Sequence, residues 1–107
     1  MILRRWKGLI RTVERDAYAA YIESTGGTDY TSTPGNLGFQ MLFRDLGDGT
    51  SEVTTLSWWR SLDDISGFAG EDITRARYYP EDDHYLLERP LNVEHHEVVA
   101  NSLPLED

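Results

Sequence analysis

Two runs of alternating residues on either side of Gly47-Asp48-Gly49 constrain this chain more than any other feature. From Phe39 to Arg44 one face of an extended segment carries Phe39, Met41 and Phe43, and the other carries Gln40, Leu42 and Arg44. Period-two alternation of this kind belongs to a strand lying on a core. Gly-Asp-Gly is hairpin chemistry, because glycine takes the positive φ that a tight reversal demands. The return run, Glu52 to Trp59, is rich in Val, Thr and Trp. Its alternation sets Thr54, Leu56 and Trp58 on one face against Val53, Thr55, Ser57 and Trp59 on the other. Both sets hold apolar or aromatic members, so this strand is expected to be covered on both sides. A lone hairpin is barely stable in water, so the flanking chain must add strands and a covering layer.

The flanks offer candidates for both. Residues 1–10 suit a first strand, with Ile2, Leu3, Trp6, Leu9 and Ile10 as its apolar members. Thr12 is placed to cap a helix whose stripe is Val13, Ala17 and Tyr21, flanked by Tyr18 and Ile22. Gly26-Gly27 is expected to stop that helix, and TDYTSTPGN to be a polar loop turning at Pro34-Gly35. Beyond the hairpin, Ser61-Leu62-Asp63-Asp64 has the form of a capping box, leading into a buried stripe of Leu62, Ile65, Phe68 and Ala69. Gly70 interrupts, and Ile73 and Ala76 carry a second helical piece toward Tyr78-Tyr79. Pro80, with Glu81, Asp82 and Asp83 behind it as a solvated start, opens a short helix holding Leu86 and Leu87. Leu91 to Ala100 alternates as a last strand, and the tail 101–107 is expected to fray.

The order is therefore β-α-β-β-α-β, the ferredoxin-like split arrangement: an α+β domain over residues 1–100 with a four-stranded antiparallel sheet. Helices cover one face of such a sheet, and a second copy of the chain is the simplest cover for the other, so a homodimer is expected.

At 107 residues the chain has room for one core. Its net charge of −9, from 19 acids against 10 bases, argues against nucleic acid or an anionic membrane as partner. Arg4, Arg5, Lys7 and Arg11 do cluster, but alternation sends them to different faces, so they read as a solvated edge. The absence of cysteine removes disulfides, thiolate nucleophiles and thiolate metal sites. With no run of transmembrane length and no signal-peptide pattern at the start, a cytoplasmic location is expected.

The segment TLSWWRSLDDISGFAGEDITRARYYPEDDHYLLE, together with VEHHEVV, resembles the antibiotic biosynthesis monooxygenase family of dimeric α/β-barrel proteins. The early strand-helix and the TPGNLG turn are looser matches, so the likeness spans nearly the whole chain. It implies one of several chemistries. In the cofactor-free oxygenase branch a polyaromatic phenol or anthrone is deprotonated and its anion reduces O₂, which asks for an apolar pocket, a base and hydrogen bonds to the anion. In the haem-degrading branch the pattern needs Asn on the first strand plus Trp and His on the helix after the third. Here residues 1–10 lack Asn, Phe68 stands at the Trp position and Tyr78 at the His position.

On that resemblance His95, Tyr78 and His84 are the candidate catalytic residues, and Trp58, Trp59, Arg60, Phe68 and Tyr79 the candidate walls and anion contacts. No metal or cofactor is expected. His95 and His96 oppose each other across one strand and cannot share an ion from it. A plainer reading stands beside each candidate: core or interface packing for the tryptophans, helix-end cover for the tyrosines, a hydrogen-bonded structural imidazole for His95. Two functions therefore stay open. One is a monooxygenase acting on a small aromatic compound; the other is a non-catalytic ligand-binding or structural homodimer. Haem binding or degradation is a minor third.

Overall fold

The computed structural model describes residues 1–105; Glu106 and Asp107, the end of the expected tail, lie outside the described residues. Strand β1 (Ile2–Arg11) is central. Strand β3 (Thr50–Trp59) pairs antiparallel with it along its whole length, from Ile2 opposite Trp59 to Arg11 opposite Thr50. Strand β2 (Asn36–Asp45) flanks β3 on the far side. Two short strands share the other edge of β1: β4 (Leu86–Glu88) beside Leu9 and Ile10, and β5 (Glu94–Glu97) beside residues Ile2 to Arg5. The antiparallel order β2-β3-β1-β4/β5, with helices on one face, is the ferredoxin-like α+β fold that the pattern predicts.

The last strand differs from expectation. Leu86 and Leu87 leave the helix and form β4, and the Leu91–Ala100 run contributes only the four residues of β5. Pro90 stands between them and has no N–H for a ladder. The chain instead detours outward there and ties itself to the segment after Gly70. Ala76 N–H donates to Leu91 O at 2.8 Å and Val93 N–H to Thr74 O at 2.8 Å.

The hairpin forms as its glycines dictate, with φ of +83° at Gly47 and +88° at Gly49. Gly35, which turns the chain into β2, has φ +89°, and a Cβ there would overlap the Asp64 carboxyl group. Nothing lies within 4 Å of a Cβ built on Gly47. Gly47→Ala should therefore cost about 1 kcal/mol, and Gly35→Ala, with overlap added to strain, about 2–4 kcal/mol. Urea denaturation of the two variants checks this; equal costs would mean that Asp64 moves aside freely.

A single helical layer lies on the sheet. A 3₁₀ turn (Thr12–Glu14) precedes α1 (Arg15–Ile22). Thr12 does not cap it: its Oγ1 bonds to Ser51 Oγ at 2.8 Å. The 3₁₀ turn winds more tightly than an α-helix and so shifts the phase of α1. Tyr18 and Ile22 are consequently the buried pair, and Val13, expected on the stripe, is 89% exposed.

Gly26-Gly27 does not stop this helix. The backbone passes through a π-helical turn (Glu23–Gly27) into α2 (Thr28–Ser32), which buries Tyr30. Both glycines are buried, and a Cβ on Gly27 would come within 3.2 Å of the Phe39 ring. They serve close packing here, not termination. The hydroxyl-rich segment read as a loop bonds back to the turn before it and to itself: Thr28 to Glu23 O, Thr31 to Gly27 O and Thr33 to Asp29 O.

Helix α3 (Leu62–Ala69) begins as predicted, with Asp64 N–H donating to the Ser61 hydroxyl at 3.2 Å. Ile65 and Phe68 are buried, while Leu62, in the first turn, projects to solvent. The helical piece expected directly after Gly70 does not form. Residues 71–81, including Ile73 and Ala76, run irregularly apart from a bridge between Arg75 and Asn92. The segment ends in the single turn α4 (Asp82–Tyr85).

Burial along β3 alternates strictly. Ser51, Val53, Thr55, Ser57 and Trp59 face the helices, and Thr54, Leu56 and Trp58 lie on the helix-free face. Within one chain the helices cover one side of β3, and on the other side Thr54, Leu56 and Trp58 are half-buried, with residues 97–103 beside Trp58. Trp59 is fully buried against Tyr30, Ile65 and Phe68, its indole N–H bonded to Ser57 Oγ at 2.8 Å. After β5 the chain passes beside Leu3 and Trp58, with Val98 N–H donating to Met1 O and Leu105 beside Gly38, so the tail expected to fray is packed as far as Leu105. Among the described residues no helix is long and apolar enough to cross a membrane.

Candidate functional site

The register of β1 sends Arg4, Trp6, Gly8 and Ile10 toward the helical layer. Arg4, read from sequence as part of a solvated edge, is 2% exposed. The correction comes from position: β1 is flanked on both edges, so its inward residues have no path to water. Arg4 lines a cavity of about 30 Å³ between sheet and helices. Trp6 and Thr55 form its sheet wall, Tyr18, Ile22 and Gly26 the α1 side, and Tyr30 and Phe68 the opposite wall. Arg77, Tyr78, Tyr79, Asp82 and Val93 close it. A space of this size holds roughly one water.

The guanidinium at its base is unusual in its partners. Arg4 Nη1 donates to Ile73 O and to His95 Nε2, the latter at 3.0 Å, and Nη2 donates to Arg75 O at 3.0 Å. The Phe68 ring lies 5.8 Å from the guanidinium carbon. Arg4 Nε is buried without any hydrogen-bond partner, and no ion pair among the described residues includes Arg4. Burial pulls its pKa down. A buried cation usually sits against a carboxylate, because desolvating it costs several kcal/mol. This one instead faces carbonyls, an imidazole and an aromatic cavity.

The polar groups around the cavity are held in place. Trp6 Nε1 donates to the Tyr78 hydroxyl at 3.1 Å, and that hydroxyl donates to Pro90 O. The Tyr30 ring stacks on Phe68 at 4.3 Å and on Phe39 at 5.0 Å, and burial pushes its phenol pKa up. At the mouth Asp29 Oδ2 accepts from Tyr79 OH at 2.6 Å and from Arg77 Nη2 at 3.0 Å. Arg77 also donates to Phe68 O at 2.8 Å and lies over the Tyr79 ring. These contacts hold the irregular segment 71–81 across the opening.

Asp82, expected in a solvated helix start, is 2% exposed. Pro80 turns the chain inward, and Asp82 Oδ2 accepts Tyr79 N–H at 2.6 Å. Desolvation, first among the causes, raises its pKa. A carboxyl raised on folding stabilises the protein below its unfolded pKa and loses that contribution as pH climbs through the folded value. Asp82→Asn keeps an acceptor for Tyr79 N–H but does not titrate. The stability advantage of the wild type over Asp82→Asn is therefore expected to be largest below about pH 4 and to shrink as pH rises. Melting temperatures of the pair across pH check this; a constant difference would rule it out.

The residues singled out from sequence are distributed unevenly. Phe68, Tyr78 and Tyr79 line the cavity. His95 stands behind Arg4, and since Arg4 is the donor, its Nε2 must be the acceptor and Nδ1 carries the proton. Burial, then Arg4, then His96 lower its pKa, which keeps it neutral. Its lone pair is turned to Arg4, away from the cavity. Trp59 lies beneath Tyr30 and Phe68 as core. Trp58 is on the opposite face of the sheet, because adjacent strand residues alternate. His84 is exposed on α4 and Arg60 is exposed at the end of β3, both away from the lining. His96 pairs across from Leu3 on the helix-free face, so the two histidines are separated as expected. Tyr78 lies beyond the end of α3, so the helical position matched to it does not exist here. Sequence reasoning missed Arg4, Tyr18, Tyr30 and Asp82. The one available signal was that β1 places Arg4 and Trp6 on the same face.

In three dimensions the chain is similar to a solved chain of MhuD, an arginine-to-serine mutant crystallised with two manganese protoporphyrin IX molecules bound per active site. The TM-score is 0.54 at 17% identity, over 95% of this chain and 98% of that one. At that identity the likeness speaks for the fold alone. No protein-family model matches the sequence, and no curated protein matches it.

Proposed function

We propose that residues 1–100 form an antibiotic biosynthesis monooxygenase-like domain that works as a homodimer, and that its cavity receives a small aromatic compound whose oxygen anion rests on Arg4. The observation that carries this reading is the buried guanidinium with no carboxylate partner and an orphaned Nε. A protein retains so costly a charge where something else supplies the counter-charge. The aromatic walls suit a planar body, and Arg4 suits its anion.

The chemistry is cofactor-free oxygenation. Arg4 stabilises the anion of a phenol or anthrone, and the anion reduces O₂ directly. For a ring methylene the balance is one O₂ consumed, with one carbonyl and one water formed. His95 positions the Arg4 fork through the 3.0 Å contact; Tyr78 and Tyr79 frame the anion and the opening. At about 30 Å³ the closed cavity is far below the roughly 300 Å³ of ligand sites, so segment 71–81 must swing out to admit a ring. The test is oxygen uptake and thermal shift with quinols and anthrones. No uptake, with a thermal shift, would leave the non-catalytic binding protein; neither response would reject the ligand site.

The second reading is haem, which the structural neighbour brings. The residues present do not fit a porphyrin in this closed form. The closed cavity admits neither ring, so ligation decides: the His95 lone pair is taken by Arg4, and the Tyr78 hydroxyl is engaged by Trp6 and Pro90. Hemin titration checks it; a saturable Soret shift would restore haem to first place.

The dimer rests on the helix-free face, where Leu3, Leu42, Leu56 and Trp58 lie on adjacent strands, with residues 97–103 bordering Leu3 and Trp58 and Leu42 45% exposed. Light scattering is expected to report a dimer, and Trp58→Glu a monomer. A wild-type monomer at micromolar concentration would end this part of the proposal.

A further inference from the structure

The walls of the cavity differ in electrical character. On the α1 side Tyr18 feels the carboxyl group of Asp82. On the opposite wall Tyr30 is acted on by two cations, Arg4 and Arg77. Arg77 is answered at the mouth by Asp29, 3.0 Å away. Arg4 is not answered. Tyr30 is the titratable group that acts on its charge, and Asp82 is not among those groups. Burial, first among the causes, keeps the Tyr30 phenol protonated, so it brings no negative charge. Three of the five guanidinium N–H groups are taken, by Ile73 O, His95 Nε2 and Arg75 O, and none of these acceptors is an anion. The Nε–H group has no partner in the protein.

Two hydroxyls add donors at the same corner. The Tyr30 hydroxyl and Thr55 Oγ1 are 3.5 Å apart, too long for a strong bond, and both side chains are buried in the lining. Whichever of them donates to the other, one hydroxyl proton is left over. Tyr30 couples to Arg4 through its hydroxyl, by charge and as a hydrogen-bond neighbour, so cation and hydroxyls meet. Size then selects the ligand. About 30 Å³ holds one water-sized body, which excludes carboxylates, nitrate and phosphate. A water would accept from Nε but carries no charge, and it would leave the desolvated cation uncompensated. We propose that the corner formed by Arg4, Tyr30 and Thr55 is a binding site for a single monatomic anion, a halide such as chloride, which is the counter-ion of Arg4 while segment 71–81 is closed. A halide accepts from several directions at once, so one N–H and the spare hydroxyl can share it, and the bond to the guanidinium is charge-assisted. The site stands without the oxygenase reading. That reading concerns what enters when the segment opens, and this one concerns what balances Arg4 before it does.

Sodium bromide and sodium methanesulfonate, mixed at constant ionic strength, are the probes, so that only the identity of the anion changes. The wild type is expected to melt about 5 °C higher when bromide is at about fivefold its dissociation constant, along a saturable curve. Arg4→Met is expected to melt at the same temperature in both salts. Tyr30→Phe keeps the ring stack, loses the hydroxyl and is expected to bind bromide about tenfold more weakly. It carries the test should Arg4→Met fail to fold. Crystals of the wild type grown in bromide are expected to show an anomalous scattering peak beside Arg4 Nε. The proposal is overturned if Arg4→Met gains from bromide as the wild type does, or if the wild type gains nothing. It is also overturned if Tyr30→Phe binds bromide with wild-type affinity, or if the density beside Nε is a water with no anomalous signal. None of these results bears on oxygen uptake or thermal shift with quinols, so the two readings fail separately.

Discussion

Trp59→Ala is expected to remove about 3–5 kcal/mol of stability, a large share of what a domain of this size has. Trp59 is fully buried where α2, α3 and β3 meet, with Tyr30 at 6.4 Å edge-on and Phe68 at 6.0 Å between ring centres. Alanine leaves a void that these rings and Ile65 cannot fill without breaking the Tyr30–Phe68 stack. It also strips Ser57 Oγ, itself 1% exposed, of its only described side-chain partner. The neighbouring substitution is the control. Trp58→Ala lies on the helix-free face and should cost the folded chain under about 2 kcal/mol, while weakening self-association. Guanidinium denaturation of both variants, with light scattering alongside, separates the two roles. Equal losses of chain stability would mean that the two faces of β3 are not as different as their burial indicates.

Arg4→Met is expected to separate binding from folding. Losing the charged donor should weaken a phenolic ligand by about 10- to 100-fold, the worth of one or two charge-assisted hydrogen bonds. Stability should change by no more than about 1 kcal/mol. Methionine fills a similar volume with no charge to desolvate, which offsets the loss of donors to Ile73 O and Arg75 O. Both acceptors lie in the irregular segment after Gly70, where Arg75 is exposed and water can replace the guanidinium. Arg4→Lys keeps the charge without the planar fork and should bind at an intermediate level. Melting and ligand titration on the same preparations decide the matter. If Arg4→Met binds as the wild type does, Arg4 is not the anion site; if it fails to fold, Arg4 is a structural tie for the 71–81 segment.

Parts of this molecule were legible in its residues. The alternation of Phe39, Met41 and Phe43, the Gly-Asp-Gly turn and the Ser61 cap act within a few residues, and the structure keeps all three. Helical phase was less legible. The Val13–Ala17–Tyr21 stripe and the Tyr18–Ile22 pair lie side by side, and only the 3₁₀ turn before α1 settles which is buried. Gly26-Gly27 misled for a related reason: a glycine pair that ends a helix and one that lets Phe39 approach have the same letters. The site was the least legible part. Arg4 meets Ile73, Arg75 and His95 across separations of 69 to 91 residues, and nothing near it in the chain announces those partners.

By itself the sequence determined the order of the first strand, the first helix, the hairpin and the capped helix, because period-two alternation, turn glycines and a serine cap exert their effects locally. It also determined that Trp58 and Trp59 serve different faces, since adjacent strand residues must point apart. Only the tertiary structure decided that one arginine of a basic cluster is buried, that an aspartate of an acidic run is enclosed, and that both reach one aromatic cavity. Those outcomes depend on strand register, helix phase and the path of residues 71–81. Each is set by packing between segments far apart in the chain, where no local pattern carries the information.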